Sequence, residues 1–216
     1  QIFDILTDKE QLQTANDKLL KKSLHIIKSE IQKDTMPSCV GFNKKKNLSV
    51  GDRAFNQLSS DKLNSIRTGK NFQSNSFIEF KRTMGSDKKY HSSFMEADFS
   101  SEELSAEVLK KLKSFVQNDR FKSVVITIPA MFNDNQKNAT QKAAELAGFS
   151  QVELLQEPIA AAIAYGLDEK VKDGQILIFD FGGGTFDVCL VNVEDGIMQV
   201  KDTEGDNWLG GKNLDN

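Results

Sequence analysis

The sequence predicts an α/β fold with mixed sheets covered by helices. Strand and helix patterns alternate between residues 124 and 170, and three strand-like runs then follow in succession. A continuous β-branched run at Val124–Ile128 and a three-glycine turn at Gly182–Gly184 mark two of the strand ends.

Composition limits the classes of function. The chain has 216 residues, 38% hydrophobic and 27% charged, enough to bury a core. A net charge of −3 excludes a broad basic field for nucleic acid or an anionic membrane. The cationic run Lys44–Lys46 reads as a solvated turn. Cys39 and Cys189 lie far apart without metal-type spacing, as expected of buried free thiols in a reducing compartment. No apolar stretch reaches the roughly 18 residues of a membrane span, and no basic-then-apolar leader opens the chain. Gln1 instead of Met suggests a start inside a longer chain.

The elements are expected in this order. Thr7 with Glu10 resembles a capping box, and Leu12, Ala15 and Leu19 share one helical face, giving a helix near 8–22. Leu24–Ile27 is a short candidate strand. Residues 37–100, broken by Gly41, Gly51, Gly69 and Gly85, read as a small α+β subdomain. Ser100 and Glu103 form a capping box ahead of Leu104, Val108, Leu112 and Phe115, which predicts an amphipathic helix. Val124–Ile128 predicts a strand buried on both faces. Asn133 or Asp134 starts the next helix, which Gly148 ends in a left-handed cap. A strand over 152–155 precedes a helix opened by Pro158. Ile176–Phe181, Phe186–Val193 and Ile197–Lys201 are strands, the last two joined through a hairpin signal at Asp195-Gly196.

The stretch from Asp180 to Asp187 carries the chemistry. A strand ends at Asp180, turns through Gly182, Gly183, Gly184 and Thr185, and returns as a strand. Three glycines permit positive φ and remove every Cβ, so backbone N–H groups can approach phosphate oxygens. Asp180 can hold magnesium through its water shell, and Thr185 can add a hydroxyl. The plain alternative is a glycine hairpin with no ligand, but three glycines exceed what a two-residue turn needs. Walker loops and dinucleotide fingerprints run from strand into helix, whereas here strand follows strand.

Asp180-Phe-Gly-Gly-Gly-Thr-Phe-Asp187 resembles the second phosphate loop of the seventy-kilodalton heat-shock protein family. Ile128-Pro-Ala-Met-Phe-Asn-Asp134 and the run Gln156–Leu167 resemble further family motifs in the family's order. Thr203–Asn216 is similar to the segment leading into the family's outer second-lobe subdomain. Met36–Phe42, Gly51–Ala54 and Phe80–Gly85 match more loosely, and the resemblance covers about 35–216. It implies the actin-like ATPase (ribonuclease H-like) fold, with lobe I and the start of lobe II. Residues 35–100 would be the outer and 101–170 the inner subdomain of lobe I, and 171–216 the start of lobe II. Residues 1–34 would be a divergent segment standing in place of the first phosphate hairpin.

The same resemblance implies roles. Lys81 matches the lysine that meets the terminal phosphate and orients the attacking water, and Glu157 a carboxylate near magnesium. Gly182, Gly183, Gly184 and Thr185 match the phosphate grip, Asp180 the magnesium-side aspartate, and Pro129 a proline that relays nucleotide state. ATP or ADP with Mg2+, unfolded polypeptide, a J-domain co-chaperone, a nucleotide-exchange factor and a cytoplasmic location follow as expectations, with no nucleic acid and no membrane. Departures are specific. Asp4 and Thr7 sit where a first phosphate loop is expected, but Leu6 occupies its glycine position and Met131 stands where the family has tyrosine. Either that loop has degenerated or the chain begins with something unrelated. In the family the adenosine pocket is completed beyond the position of Asn216, so this chain alone is expected neither to hydrolyse ATP nor to bind it tightly. A chaperone ATPase portion and a non-catalytic scaffold relative remain the two readings. Sugar kinases and actin-like filament proteins share the fold, and the 156–167 and 203–216 motifs point away from them.

Overall fold

A computed structural model describes residues 26–116, 122–206 and 208–214. The expected helix at 8–22, Asp4, Leu6 and Thr7 lie outside the described residues, as do Leu24 and Asn216. The described residues divide into two compact units. One runs to residue 124 and takes in 138–152, and the other comprises 125–137 and the residues from 153 onward.

In the first unit, β1 (Val40–Phe42) is the centre of an antiparallel sheet, flanked by β2 (Leu48–Val50) and β3 (Ser76–Phe77). Helix α1 (Asp52–Thr68) packs on it through buried Ala54 and ends at Gly69 with φ +65. A 3-10 turn, Phe80–Thr83, leads to the hairpin β4 (Lys89–Ser92) and β5 (Ala97–Ser100). The α+β character expected for this region is present. Lys44–Lys46 are exposed in the β1–β2 turn, where the Asn43 side chain accepts from the N–H groups of Lys45 and Asn47.

Helix α2 (Ser101–Phe115) begins as its sequence requires. The Ser100 hydroxyl accepts from Glu103 N, and the Glu103 carboxylate accepts from Ser100 N. Such a cap stabilises by about 1 kcal/mol. Leu104, Val108 and Leu109 are buried by it, and the stripe continues half-buried through Leu112 and Phe115. Strand β6 (Ser123–Ile128) pairs with β7 (Gln151–Gln156). Only Ile126 and Ile128 of β6 are fully buried, so the expectation of burial on both faces is corrected: Val124, Val125 and Thr127 are half-buried. Between them α3 (Asp134–Leu146) starts after Asn133, whose side chain accepts from Gln136 N, and is followed by Gly148 at φ +84. The run at 24–27 also departs from expectation, because Ile26 and Ile27 are exposed, irregular chain.

In the second unit α4 (Glu157–Ala164) opens with Pro158 in its first turn and packs against β8 (Gly174–Phe181) and β10 (Ile197–Asp206). A short α5 (Leu167–Lys170) follows it. β8, β9 (Phe186–Glu194) and β10 form an antiparallel meander in the order β10-β9-β8. Asp195 and Gly196, at φ +52 and +77, make the turn between β9 and β10. β10 is longer than the sequence suggests, reaching Asp206 past an irregularity between Val200 and Asp202. Alternation sets the faces: Asp187, Cys189, Val191 and Val193 are buried, while Leu177, Phe179 and Phe181 are exposed.

Candidate functional site

The antiparallel register of β8 and β9 builds the site. Asp180 pairs with Asp187 and Phe181 with Phe186, leaving Gly182–Thr185 as a four-residue turn. Gly182 N donates to Thr185 O at 2.9 Å and closes it. The Phe181 and Phe186 rings meet at 5.8 Å on the outer face of the last rung. Asp180 lies on the inner face with Ile176 and Ile178, so two carboxylates stand side by side at the base of the turn.

The glycines act differently from the sequence expectation. None of Gly182, Gly183 and Gly184 takes a positive φ. Their requirement is space. A Cβ at Gly183 would meet nothing within 4 Å, so that side of the turn is open. On another side a Cβ at Gly210 would lie 2.3 Å from Gly184 N and 2.5 Å from the Gly183 carbonyl carbon. Gly211 N donates to Gly182 O at 2.9 Å, and the Asn213 side chain accepts from Gly210 N at 3.0 Å. Further down β10, a Cβ at Gly205 would lie 2.2 Å from Phe186 O. Gly205, Gly210, Gly211 and Asn213 therefore buttress the hairpin, which sequence reading did not foresee. The signal was Gly205 and the Gly210-Gly211 pair just after a strand.

Asp187 was also missed as a site residue, although it flanks the turn as symmetrically as Asp180 does. It is 3% exposed. The carboxylates reach deeper: burial raises the pKa of the Cys189 thiol, and the charges of Asp187 and Asp180 raise it further against a hydrogen bond from Thr203 that lowers it. Cys39 is buried in the other unit, and burial pushes its thiol up to about 12. Both cysteines are free and buried, as expected.

Thr185 is half-buried within the turn. Glu157, half-buried, is the first residue of α4, where the helix dipole favours a carboxylate. Pro129 is buried just after β6 and its carbonyl accepts from Phe132 N, while Met131 is exposed. Lys81 belongs to the other unit, half-buried in the 3-10 turn Phe80–Thr83. The structure thus gathers Asp180, Gly182–Gly184, Thr185 and Asp187 on one hairpin and places Glu157 and Pro129 in the same unit.

Side chains and backbone of this kind suit an anionic ligand that carries its own cation. Open backbone can take an anion's oxygens, and paired carboxylates can hold a cation's water shell. No helix among the described residues is long and apolar enough to cross a membrane.

Comparison with known proteins gives the family. The family model described as Hsp70 protein matches residues 19–216. Over 196 residues the chain is 42% identical to the chaperone protein DnaK of Thermosipho africanus, covering 89% of this chain and 31% of the relative. It is 38% identical over 212 residues to the heat shock 70 kDa protein of Neurospora crassa, covering 88% of this chain and 32% of the relative. The DnaK of Methanothermobacter thermautotrophicus is 38% identical over 185 residues. The chain belongs to the Hsp70 family, whose actin-like ATPase fold agrees with the mixed α/β structure. It spans about a third of the length of these relatives.

Proposed function

We propose that this chain is part of the ATP-binding domain of a heat-shock-type chaperone. The observation that carries the reading is the hairpin turn that is open where a Gly183 Cβ would stand, with Asp180 and Asp187 paired at its base. Family membership supports ATP or ADP with Mg2+ as the ligand, since relatives matched over most of this chain are named chaperone proteins. Residues 35–170 are read as lobe I and 171–216 as the start of lobe II.

In this reading the turn's backbone from Gly183 to Thr185 binds phosphate oxygens, Gly182 closes the turn through its N–H on Thr185 O, and the Thr185 hydroxyl adds a donor. Asp180, with Asp187 beside it, holds the water shell of the cation, and Glu157 adds negative charge. Lys81 binds the terminal phosphate and orients the attacking water. Magnesium, when bound, neutralises charge that develops on the phosphates. Little covalent work falls to the protein in such a transfer, so positioning and electrostatics supply the acceleration. Nucleotide state is then relayed, with Pro129 as one element, to a peptide-binding region that takes unfolded polypeptide. A J-domain co-chaperone and a nucleotide-exchange factor are the proposed partners, in the cytoplasm.

Phosphate release from MgATP by the full-length protein tests this. Thr185→Ala and Lys81→Ala should each lower turnover, by about tenfold or more. Unchanged turnover in both contradicts the proposal.

A further inference from the structure

The 3-10 turn that carries Lys81 is held by a chain of hydroxyls that no motif announces. Thr83 Oγ1 lies 2.7 Å from the Tyr90 hydroxyl on β4 and 2.8 Å from Ser101 Oγ at the start of α2. Ser101 Oγ donates back to the Thr83 carbonyl at 3.1 Å. The Thr83 hydroxyl also donates to the Phe80 carbonyl at 3.2 Å, so one hydroxyl ties the two ends of the turn to each other and to Tyr90 and Ser101, and either oxygen can donate in each of the two short pairs. Ser101 is fully buried and Tyr90 half-buried, so water competes weakly for these bonds.

Packing closes the rest of the turn. Phe80 is 2% exposed and meets the Tyr90 ring edge-on at 6.4 Å, and Tyr90 also meets Phe77 at 5.8 Å. Met84, 5% exposed, accepts from the Ser105 hydroxyl of α2. The residues before and after Lys81 are thereby fixed to a hairpin and to a capped helix. A lysine has four rotatable bonds, so the direction of its ammonium depends on a fixed Cα and Cβ. A 3-10 turn this short has little stability of its own.

We propose that Thr83, bonded to Tyr90 and Ser101, is a positioning residue that fixes the turn presenting Lys81 for phosphoryl transfer. This rests on the function proposed above. Thr83 touches no reacting atom in this role. Its effect falls on the rate of the chemical step and not on nucleotide affinity, because a displaced positioning group costs reaction geometry first.

The test uses single-turnover ATP hydrolysis and MgADP affinity of the full-length protein. Thr83→Val keeps the shape and removes the hydroxyl, and Tyr90→Phe keeps both ring contacts and removes the Tyr90 hydroxyl. Each should slow hydrolysis by about tenfold while MgADP affinity stays near wild type and the thermal midpoint falls by only a few degrees. Thr83→Ser should restore the rate. In a Lys81→Ala background Thr83→Val should cause no further loss, because both changes remove one function. Wild-type rates in both Thr83→Val and Tyr90→Phe, with Lys81→Ala slow, would overturn the positioning role alone. So would a loss from Thr83→Val that multiplies with that of Lys81→Ala. A wild-type rate in Lys81→Ala would remove the functional reading, and this inference with it.

Discussion

Asp180 on β8 and Asp187 on β9 are direct cross-strand partners one rung below the glycine turn, and Asp187 is 3% exposed. Like charges set opposite each other in a sheet repel, by up to about 1 kcal/mol. A bound cation converts that repulsion into attraction. Asp187→Asn keeps the shape and removes one charge. It should raise the magnesium concentration for half-maximal ADP binding by about tenfold, measured by titrating Mg2+ at fixed nucleotide. An unchanged half-point would show that Asp187 plays no part in holding the cation.

Gly210 makes the opposite demand on the same turn from Gly183. Its missing Cβ leaves room for Gly184 N, which would otherwise sit at 2.3 Å. The clash is with backbone, which has little freedom to move. Gly210→Ala should destabilise the protein by about 1–3 kcal/mol and weaken nucleotide binding by displacing the turn. Denaturant unfolding and ADP titration of the variant measure both. Wild-type values in both would mean that the segment at Gly210 does not buttress the turn.

Cys39 gives a pH dependence. Its thiol ordinarily titrates near 9 and is pushed up to about 12 by burial, so the folded state keeps a proton that the unfolded chain releases. Stability from this group is fully present below pH 9 and is lost as pH rises toward 12. By pH 11 the wild type should lose about 2–3 kcal/mol more than Cys39→Ala, as read from unfolding curves at each pH. Parallel losses in the two proteins would contradict it. Both thiols should also resist a disulfide reagent until the chain unfolds, since both are buried.

What was legible in the sequence was local. Ser100 with Glu103, Gly148 and Asp195-Gly196 each fix a helix end or a turn through neighbours a few residues away, and each is found as expected. The Asp180–Asp187 hairpin was legible for the same reason, because a short turn between two strands leaves one register. Burial was less so. Val124–Ile128 reads as buried on both faces, yet what covers each face comes from distant sequence, and only Ile126 and Ile128 are fully covered. Gly182–Gly184 read as a turn needing positive φ and missing Cβ atoms, and only the second need is met there; what governs Gly210 and Gly205 is a neighbour brought close by the fold. Tyr90 and Ser101 lie 7 and 18 residues from Thr83. No periodicity records such a contact.

The central claim is that the open side of the Gly182–Thr185 turn is where phosphate sits. A Cβ added at Gly183 meets no atom within 4 Å beyond its chain neighbours, and the native φ there is not positive, so Gly183→Val is expected to fold. It fills the space the ligand needs. The measurement is MgADP affinity of the full-length Gly183→Val protein beside its thermal midpoint. The midpoint should stay near wild type while affinity falls by about a hundredfold or more, some 2.8 kcal/mol. Wild-type affinity at an unchanged midpoint would contradict the claim.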